Sequence, residues 1–146
     1  MHQAVHDNID GVDIFVGAAA VSDYRVAEQA GHQIKKTSEH LSLELVRNPD
    51  ILASVSNLEP AKRPFTVGFA AETENLEDYA RGKLSAKSLD LIAANLVGEG
   101  RAFDKDTNAL MAYWPTGAED LGSGSKVELA RLLLKLIARH FRNVDA

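Results

Sequence analysis

The feature that most constrains the fold is a short apolar run followed by small residues and an acid. Residues 13–16 (DIFV) favour a core strand, and residues 17–25 (GAAAVSDYR) follow directly. Small side chains at the carboxyl end of a strand let a ligand approach the backbone, and open α/β sheets bind ligands in that crevice. Residues 65–73 (FTVGFAAET) and 89–95 (LDLIAAN) repeat the plan, ending in an acid and an amide. Because all three predicted strands end in small residues followed by an acid or an amide, we expect their ends to form a single site.

Composition describes an ordinary globular chain and excludes several classes of protein. The 146 residues contain 45% hydrophobic and 25% charged residues, which predicts one domain over residues 1–146. No apolar run approaches the ~20 residues of a membrane helix, and no signal peptide is evident. The absence of cysteine excludes disulfides and Cys-based metal sites and agrees with a cytoplasmic protein. A net charge of −5 argues against a nucleic-acid partner.

Strand-like and helix-like patterns alternate along the chain, which predicts an α/β fold with a mostly parallel sheet. A strand is expected over residues 13–20 and a loop over 21–38. Leu41, Leu43 and Leu45 alternate with polar residues and predict a half-buried strand over 39–47. Further strands are expected at 65–71, 89–95 and about 108–114, with a turn at 115–124.

Helix signals fall between these strands. Asn48 is expected to cap a helix that has Pro49 at its first position and Asp50 in its first turn. Another helix is predicted over 76–88, with Leu76, Tyr79, Ala80 and Leu84 facing inward. A capping box from Ser125 to Glu128 opens the strongest helix. Its expected apolar stripe is Leu129, Leu132, Leu133, Leu136, Ile137 and Phe141.

Two lysines have the spacing of an anion-binding pair. Lys83 and Lys87 stand one helical turn apart, so both ammonium groups leave the same face and can hold one polyphosphate. Without further context, such a lysine pair usually lies on a solvated helix face rather than in a binding site. In the same way, Asp23 taken alone is interpreted as a loop residue and Phe69 as a core residue. His32 and His40 have no suitably spaced acid, which favours exposed side chains over metal ligands.

Taken together, these segments resemble the synthetase domain of bacterial phosphopantothenate–cysteine ligases. The resemblance covers nearly the whole chain and rests on ordered motifs: residues 19–25 (AAVSDYR), 34–36 (IKK), 48–51 (NPDI) and 68–73 (GFAAET), with Lys83 and Lys87. It implies a Rossmann-like, mostly parallel sheet flanked by helices. The family's N-terminal strand, glycine-rich turn and helix have no counterpart here, so the chain is expected to be the C-terminal portion of the domain, binding nucleotide only in part.

The resemblance implies a two-step ligation in coenzyme A biosynthesis. The carboxylate of 4′-phosphopantothenate attacks the α-phosphate of CTP, which gives an acyl cytidylate and pyrophosphate. The amine of L-cysteine then displaces CMP and forms the amide. The family also implies Mg²⁺, a homodimer to which the 39–47 strand contributes, and FMN only where a decarboxylase domain is fused upstream.

The family's CTP contacts fall on eight positions of this sequence. They are Asp23, Pro49, Asp50, Ile51, Leu52, Phe69, Lys83 and Lys87. No protein metal ligand is expected. A loop lysine of the family is replaced by Gln33, which retains a hydrogen-bond donor but loses the charge, and Lys35 is the candidate to substitute for it. These two are the expected catalytic positions of a loop that closes over the intermediate.

Two other functions compete with the ligase. A non-catalytic nucleotide-binding or assembly module would explain Gln33 as a mark of lost activity. A dinucleotide oxidoreductase is disfavoured because the chain lacks the glycine fingerprint of that class.

Overall fold

The fold centres on a five-stranded sheet with helices on both faces. The computed structural model describes residues 1–29, 31–32, 39–96 and 107–144. The helices are α1 (His2–His6), α2 (Ile51–Ser56), α3 (Leu76–Ala86) and α4 (Lys126–Val144). The strands are β1 (Ile14–Gly17), β2 (Tyr24–Val26), β3 (Leu45–Arg47), β4 (Phe65–Glu72), β5 (Leu91–Leu96), β6 (Thr107–Trp114) and β7 (Gly117–Ser125).

The strand order of the main sheet is β1-β4-β5-β6-β7. The first three strands pair in parallel, whereas β6 is antiparallel to both β5 and β7. Four of the five strands therefore run in one direction and β6 alone is reversed. This arrangement confirms the expected α/β fold with a mostly parallel sheet. Strands β2 and β3 form a separate antiparallel pair.

Each face of the sheet is covered by its own helix layer. Helix α4 covers the face that carries Phe65, Val67, Leu91 and Ala93, and its buried side chains are Leu129, Leu133, Leu136 and Ile137. Helices α2 and α3 cover the opposite face through Leu52, Ala80 and Leu84, which pack near Ala70, Leu89, Ile92 and Ala94. Alternate residues of β4 and β5 thus enter different layers, as the pleat requires.

Helix α2 approaches the sheet closely because two strand positions lack a side chain. A Cβ atom on Gly17 would lie 2.9 Å from Cδ1 of Leu52, and one on Gly68 would lie 2.9 Å from its Cδ2. These two glycines are paired neighbours in β1 and β4. Leu52 therefore packs the first turn of α2 against the end of β1 and the middle of β4.

Helix α4 begins at the predicted capping box. The backbone N–H of Ser125 donates to Oε2 of Glu128 at 3.0 Å, and the backbone N–H of Glu128 donates to Oγ of Ser125 at 3.2 Å. Among the helices of the described residues, none is both long and apolar enough to cross a membrane.

Three expectations about local structure were wrong. The expected turn at 115–124 is mostly β7, whose weak strand composition is outweighed by its pairing with β6 and its contact with α4. Tyr79 and Leu132 do not face inward; they are 50% and 42% exposed, because the buried stripe of each helix is narrower than the spacing alone suggests. The expected core strand at 13–20 is only Ile14–Gly17 and lies at the edge of the sheet, since β4 is its one partner among the described strands.

The expected half-buried strand over 39–47 was also wrong in extent and burial. Only Leu45–Arg47 forms a strand, and it pairs with β2 within the loop predicted over 21–38. Leu41, Leu43 and Leu45 are 67%, 59% and 55% exposed, because no layer formed by the described residues covers the small sheet.

Glycine-to-alanine substitutions at positions 68 and 82 should have opposite effects. At Gly68 the new methyl group would meet Leu52 and, at 2.8 Å, Cδ1 of buried Leu89; such overpacking costs about 1–3 kcal/mol of unfolding free energy. Gly82→Ala is the matched control, because that helical position is open and alanine there stabilises by about 1 kcal/mol. Urea unfolding measures both, and a Gly68→Ala variant as stable as wild type would contradict the packing described.

Candidate functional site

A cleft of about 420 Å³ opens where β1 ends and α2 begins. The loop over residues 18–23 forms one wall and residues 48–52 form another, with Phe69 of β4 and Lys87 at the end of α3 completing the lining. This is the edge of the sheet at which parallel strands present their carboxyl ends. The end of β1 and Phe69 in the middle of β4 line this cleft. The small residues and the acid at the end of β4, and the end of β5, do not line it, so the expected meeting of three strand ends is found only for β1.

Asp50, rather than Asn48, caps helix α2. The backbone N–H of Ala53 donates to Oδ1 of Asp50 at 3.0 Å, and Asp50 has the extended backbone typical of a cap. The expectation that Asn48 caps the helix was wrong, because its side chain is used elsewhere. One donor at this helix start is thus already taken by the chain's own carboxylate.

Lys87 brings a positive charge into the cleft and pairs with Asp50. Its Nζ lies 2.9 Å from Oδ2 of Asp50. Partial burial raises the pKa of Asp50, but the backbone N–H of Ala53 and the Lys87 ammonium outweigh it, so the pKa lies below its usual value. The site therefore presents a lysine whose charge is balanced by one partly exposed carboxylate.

Lys83 is held outside the cleft. Its Nζ lies 2.6 Å from Oε1 of Glu72, the last residue of β4, and it is absent from the cleft lining. The two lysines do leave the same side of α3, but each meets a different carboxylate. The spacing alone did not reveal these partners, since they come from β4 and from the start of α2.

Asn48 ties the two walls of the cleft together. Its backbone N–H donates to the carbonyl of Asp23 at 2.8 Å, and its Nδ2 donates to the carbonyl of Ser22 at 2.8 Å. Its Oδ1 accepts from Nη1 of Arg25 at 3.2 Å. These bonds fix the loop that carries Asp23 beside the start of α2. The sequence carried no signal of this role, because the partners lie more than 20 residues away.

Most of the predicted site residues come together in the cleft. Those that line it are Asp23, Pro49, Asp50, Ile51, Leu52, Phe69 and Lys87. Phe69 is 39% exposed, so it is a wall of the cleft rather than plain core. Gln33 and Lys35 lie outside the residues that the structure describes. Lining residues that sequence reasoning missed include Phe15, Ser22 and Asn48.

The acidic side chains of the cleft do not form a preassembled metal centre. Within the described ranges, no three His, Asp or Glu side chains are grouped closely enough to hold an ion. The Asp23 carboxylate lines the cleft and forms no ion pair with any other described residue. Mg²⁺ is commonly held by one or two carboxylates together with substrate phosphates, so this donor set fits an ion that arrives with a nucleotide.

Replacing Asp50 with asparagine should reduce the acid sensitivity of the fold. Because the pKa of Asp50 is lowered in the folded state, its stabilisation is present above the unfolded value of about 3.8 and is lost as pH falls through the folded value. Asp50→Asn keeps a good cap but removes the carboxylate. The free energy of unfolding, measured by urea at pH 7 and pH 3, should change less with pH than in wild type. Asp10→Asn, in the exposed turn before β1, is the control; an equal reduction there would contradict the assignment to Asp50.

Comparisons with known proteins identify relatives over almost the entire chain. Residues 1–141 match the family model of the DNA/pantothenate metabolism flavoprotein C-terminal domain. The chain is 47% identical over 142 residues to the coenzyme A biosynthesis bifunctional protein CoaBC of Haemophilus influenzae, covering 97% of this chain and 35% of the relative. It is 43% identical over 145 residues to CoaBC of Escherichia coli, covering 97% and 36%. The chain thus spans about a third of the length of these relatives.

Solved structures show the same fold. The C-terminal domain of a CoaBC protein superposes with a TM-score of 0.71 at 30% identity, covering 99% of this chain and 62% of that one. The DNA/pantothenate metabolism flavoprotein from Streptococcus pneumoniae gives a TM-score of 0.73 at 22% identity, covering 94% and 68%, and supports the fold alone. By the family-model match over residues 1–141, the chain belongs to the DNA/pantothenate metabolism flavoprotein C-terminal domain family.

Proposed function

We propose that this chain forms the nucleotide-binding part of a CTP-dependent phosphopantothenate–cysteine ligase of coenzyme A biosynthesis. The observation that carries the proposal is the convergence of Lys87, Asp23 and Phe69 on one cleft beside the end of β1 and the middle of β4. The relatives named above are coenzyme A biosynthesis proteins, which supports the same pathway.

The reaction proposed has two steps. The carboxylate of 4′-phosphopantothenate attacks the α-phosphate of CTP, forms an acyl cytidylate and expels pyrophosphate. The amine of L-cysteine then attacks the acyl carbon, CMP leaves, and the amine loses a proton as the amide forms. No covalent bond to the protein is required, so positioning and charge stabilisation carry the catalysis.

The cleft residues have complementary tasks in this scheme. The Lys87 ammonium donates to phosphate oxygens, and Phe69 offers an apolar wall to the nucleoside. The small residues of the 18–20 segment leave room against the backbone. Asp23 would hold Mg²⁺, which supplies positive charge to the phosphates when bound. Gln33 and Lys35 are proposed as donors to the reacting phosphate.

Removing the Lys87 charge should weaken CTP binding by about tenfold to a hundredfold, since a hydrogen bond to a charged group contributes about 1.5–3 kcal/mol. Calorimetry on the native polypeptide that carries this chain measures the affinity of Lys87→Met. Lys62→Met is the matched control, because Lys62 lies exposed in the turn before β4. Absence of CTP binding in wild type, or equal affinities for the two variants, would overturn the proposal.

Formation of acyl cytidylate from labelled phosphopantothenate separates a ligase from a non-catalytic module.

We also propose that the small β2–β3 sheet joins two copies of the chain. An isolated pair of strands is marginal in water, and three leucines at alternate positions, Leu41, Leu43 and Leu45, are each more than half exposed. Burying this surface against a second copy would stabilise both.

Replacing Leu43 with serine should therefore shift the native polypeptide from dimer toward monomer in sedimentation equilibrium. Leu134→Ser is the control, since Leu134 is 60% exposed on α4, away from the small sheet. A monomeric wild type, or an unchanged dimer in Leu43→Ser, would contradict this interface.

A further inference from the structure

We infer that Ser56 and Arg63, which do not line the cleft, are positioning residues that hold the Lys87 ammonium inside it. The contacts behind this inference lie at the opposite end of α2 from Asp50. Its consequence for CTP rests on the proposed function, but its structural content does not.

The buried hydroxyl of Ser56 binds the backbone of Lys87. Ser56 is 2% exposed and is the last residue of α2. Its Oγ donates to the carbonyl of Lys87, and the carbonyl of Ala53 lies 3.1 Å from the same hydroxyl. Because this hydroxyl is almost fully buried and reaches both carbonyls, it joins the Lys87 backbone to the last turn of α2.

The end of α3 is fixed by its own backbone as well. The N–H of Leu89 donates to the carbonyl of Leu84 at 2.9 Å, and the N–H of Ser88 donates to the carbonyl of Ser85 at 3.1 Å. These are the two bonds of a Schellman motif. Ser88 occupies the left-handed position with φ 53°, where glycine is usual. Because serine adopts this conformation at a cost, the surrounding contacts must hold it there.

Arg63 supplies those contacts. Its Nε donates to the carbonyl of Ser56 at 2.7 Å, and its Nη2 donates to the carbonyl of Ser88 at 2.8 Å. Nη2 also lies 2.9 Å from Oδ2 of Asp90, which accepts the backbone N–H of Thr66 at 2.7 Å. One guanidinium thus joins the ends of both helices to the starts of β4 and β5.

Lys87 is consequently held at both ends of α2. Its carbonyl is bound by the last residue of the helix, whereas its Nζ reaches the cap residue, Asp50. A six-residue helix is about 9 Å long, a span that an extended lysine side chain and its backbone can cover. The position of the ammonium therefore depends on where Ser56 and Arg63 place the lysine backbone.

Ser56→Ala should move the ammonium without unfolding the chain. Titration of the Asp50 carboxyl by NMR should show its pKa rising toward the value in Lys87→Met, because part of the lowering comes from Lys87. Ser54→Ala is the matched control: Ser54 lies on the same helix, and its hydroxyl contacts the carbonyl of Ile51 and the His6 ring rather than Lys87. The affinity of the native polypeptide for CTP should fall about fivefold in Ser56→Ala and remain within about twofold in Ser54→Ala.

A double-mutant cycle separates positioning from general stability. If Ser56 acts through Lys87, then adding Ser56→Ala to Lys87→Met should cause no further loss of CTP affinity. An undiminished loss in that background, or an Asp50 titration unchanged by Ser56→Ala, would overturn the inference. Failure of wild type to bind CTP would instead overturn the proposed function, and the Asp50 titration would still decide the positioning role.

Discussion

The close contact of Leu52 with two glycines is the constraint on which the site depends. Helix α2 is short, so its position is determined by packing more than by its own stability. With Gly17 and Gly68 beneath it, Leu52 brings the first turn of the helix almost onto the sheet backbone. The cap residue Asp50 consequently lies beside the end of β1 and the middle of β4. A side chain at either glycine would force the Leu52 side chain, or the helix that carries it, to shift.

The second constraint fixes the loop over residues 18–23 beside the start of α2. Asn48 holds it there with one backbone hydrogen bond to the carbonyl of Asp23 and one side-chain hydrogen bond to the carbonyl of Ser22. Loops built from small residues, such as 17–20, have little side-chain packing to hold them. Hydrogen bonds from the neighbouring segment therefore determine where the Asp23 carboxylate lies.

The sequence predicted the parts of the fold that depend on local periodicity. Helix α4 and its capping box, and the buried strands β4 and β5, follow from patterns within a few residues. Strand β7 escaped prediction because GAEDLGSGS has weak strand propensity, and only its partner β6 makes it a strand. The leucines of 41–45 alternate as in a half-buried strand, yet each is more than half exposed, because periodicity does not show whether another layer covers a strand.

The sequence likewise predicted the positions of the candidate site but not the residues that they contact. Seven of the eight positions that the family resemblance assigned to CTP line the cleft, and the geometry of a parallel sheet explains why the end of β1 lies there. Their partners were not predicted, because each comes from a distant segment. Glu72 binds Lys83 from 11 residues away, and Ser56 binds Lys87 from 31 residues away. Side-chain spacing determines which face a lysine leaves, whereas tertiary contacts determine what it meets.

Because of these partners, Lys83 and Lys87 differ in the free energy that each would lose on leaving its carboxylate for a phosphate of the proposed nucleotide. The Asp50 side chain is 46% exposed and keeps its bond to the Ala53 N–H, so water and the helix can stabilise it when Lys87 turns to a phosphate. The Glu72 side chain is only 15% exposed, and releasing Lys83 would leave its carboxylate largely desolvated without a counter-charge. Under the proposed function, Lys87 is therefore the lysine that exchanges its carboxylate for a phosphate at least cost. Under the same proposal, Lys83 would remain paired with Glu72 and neutralise the end of β4.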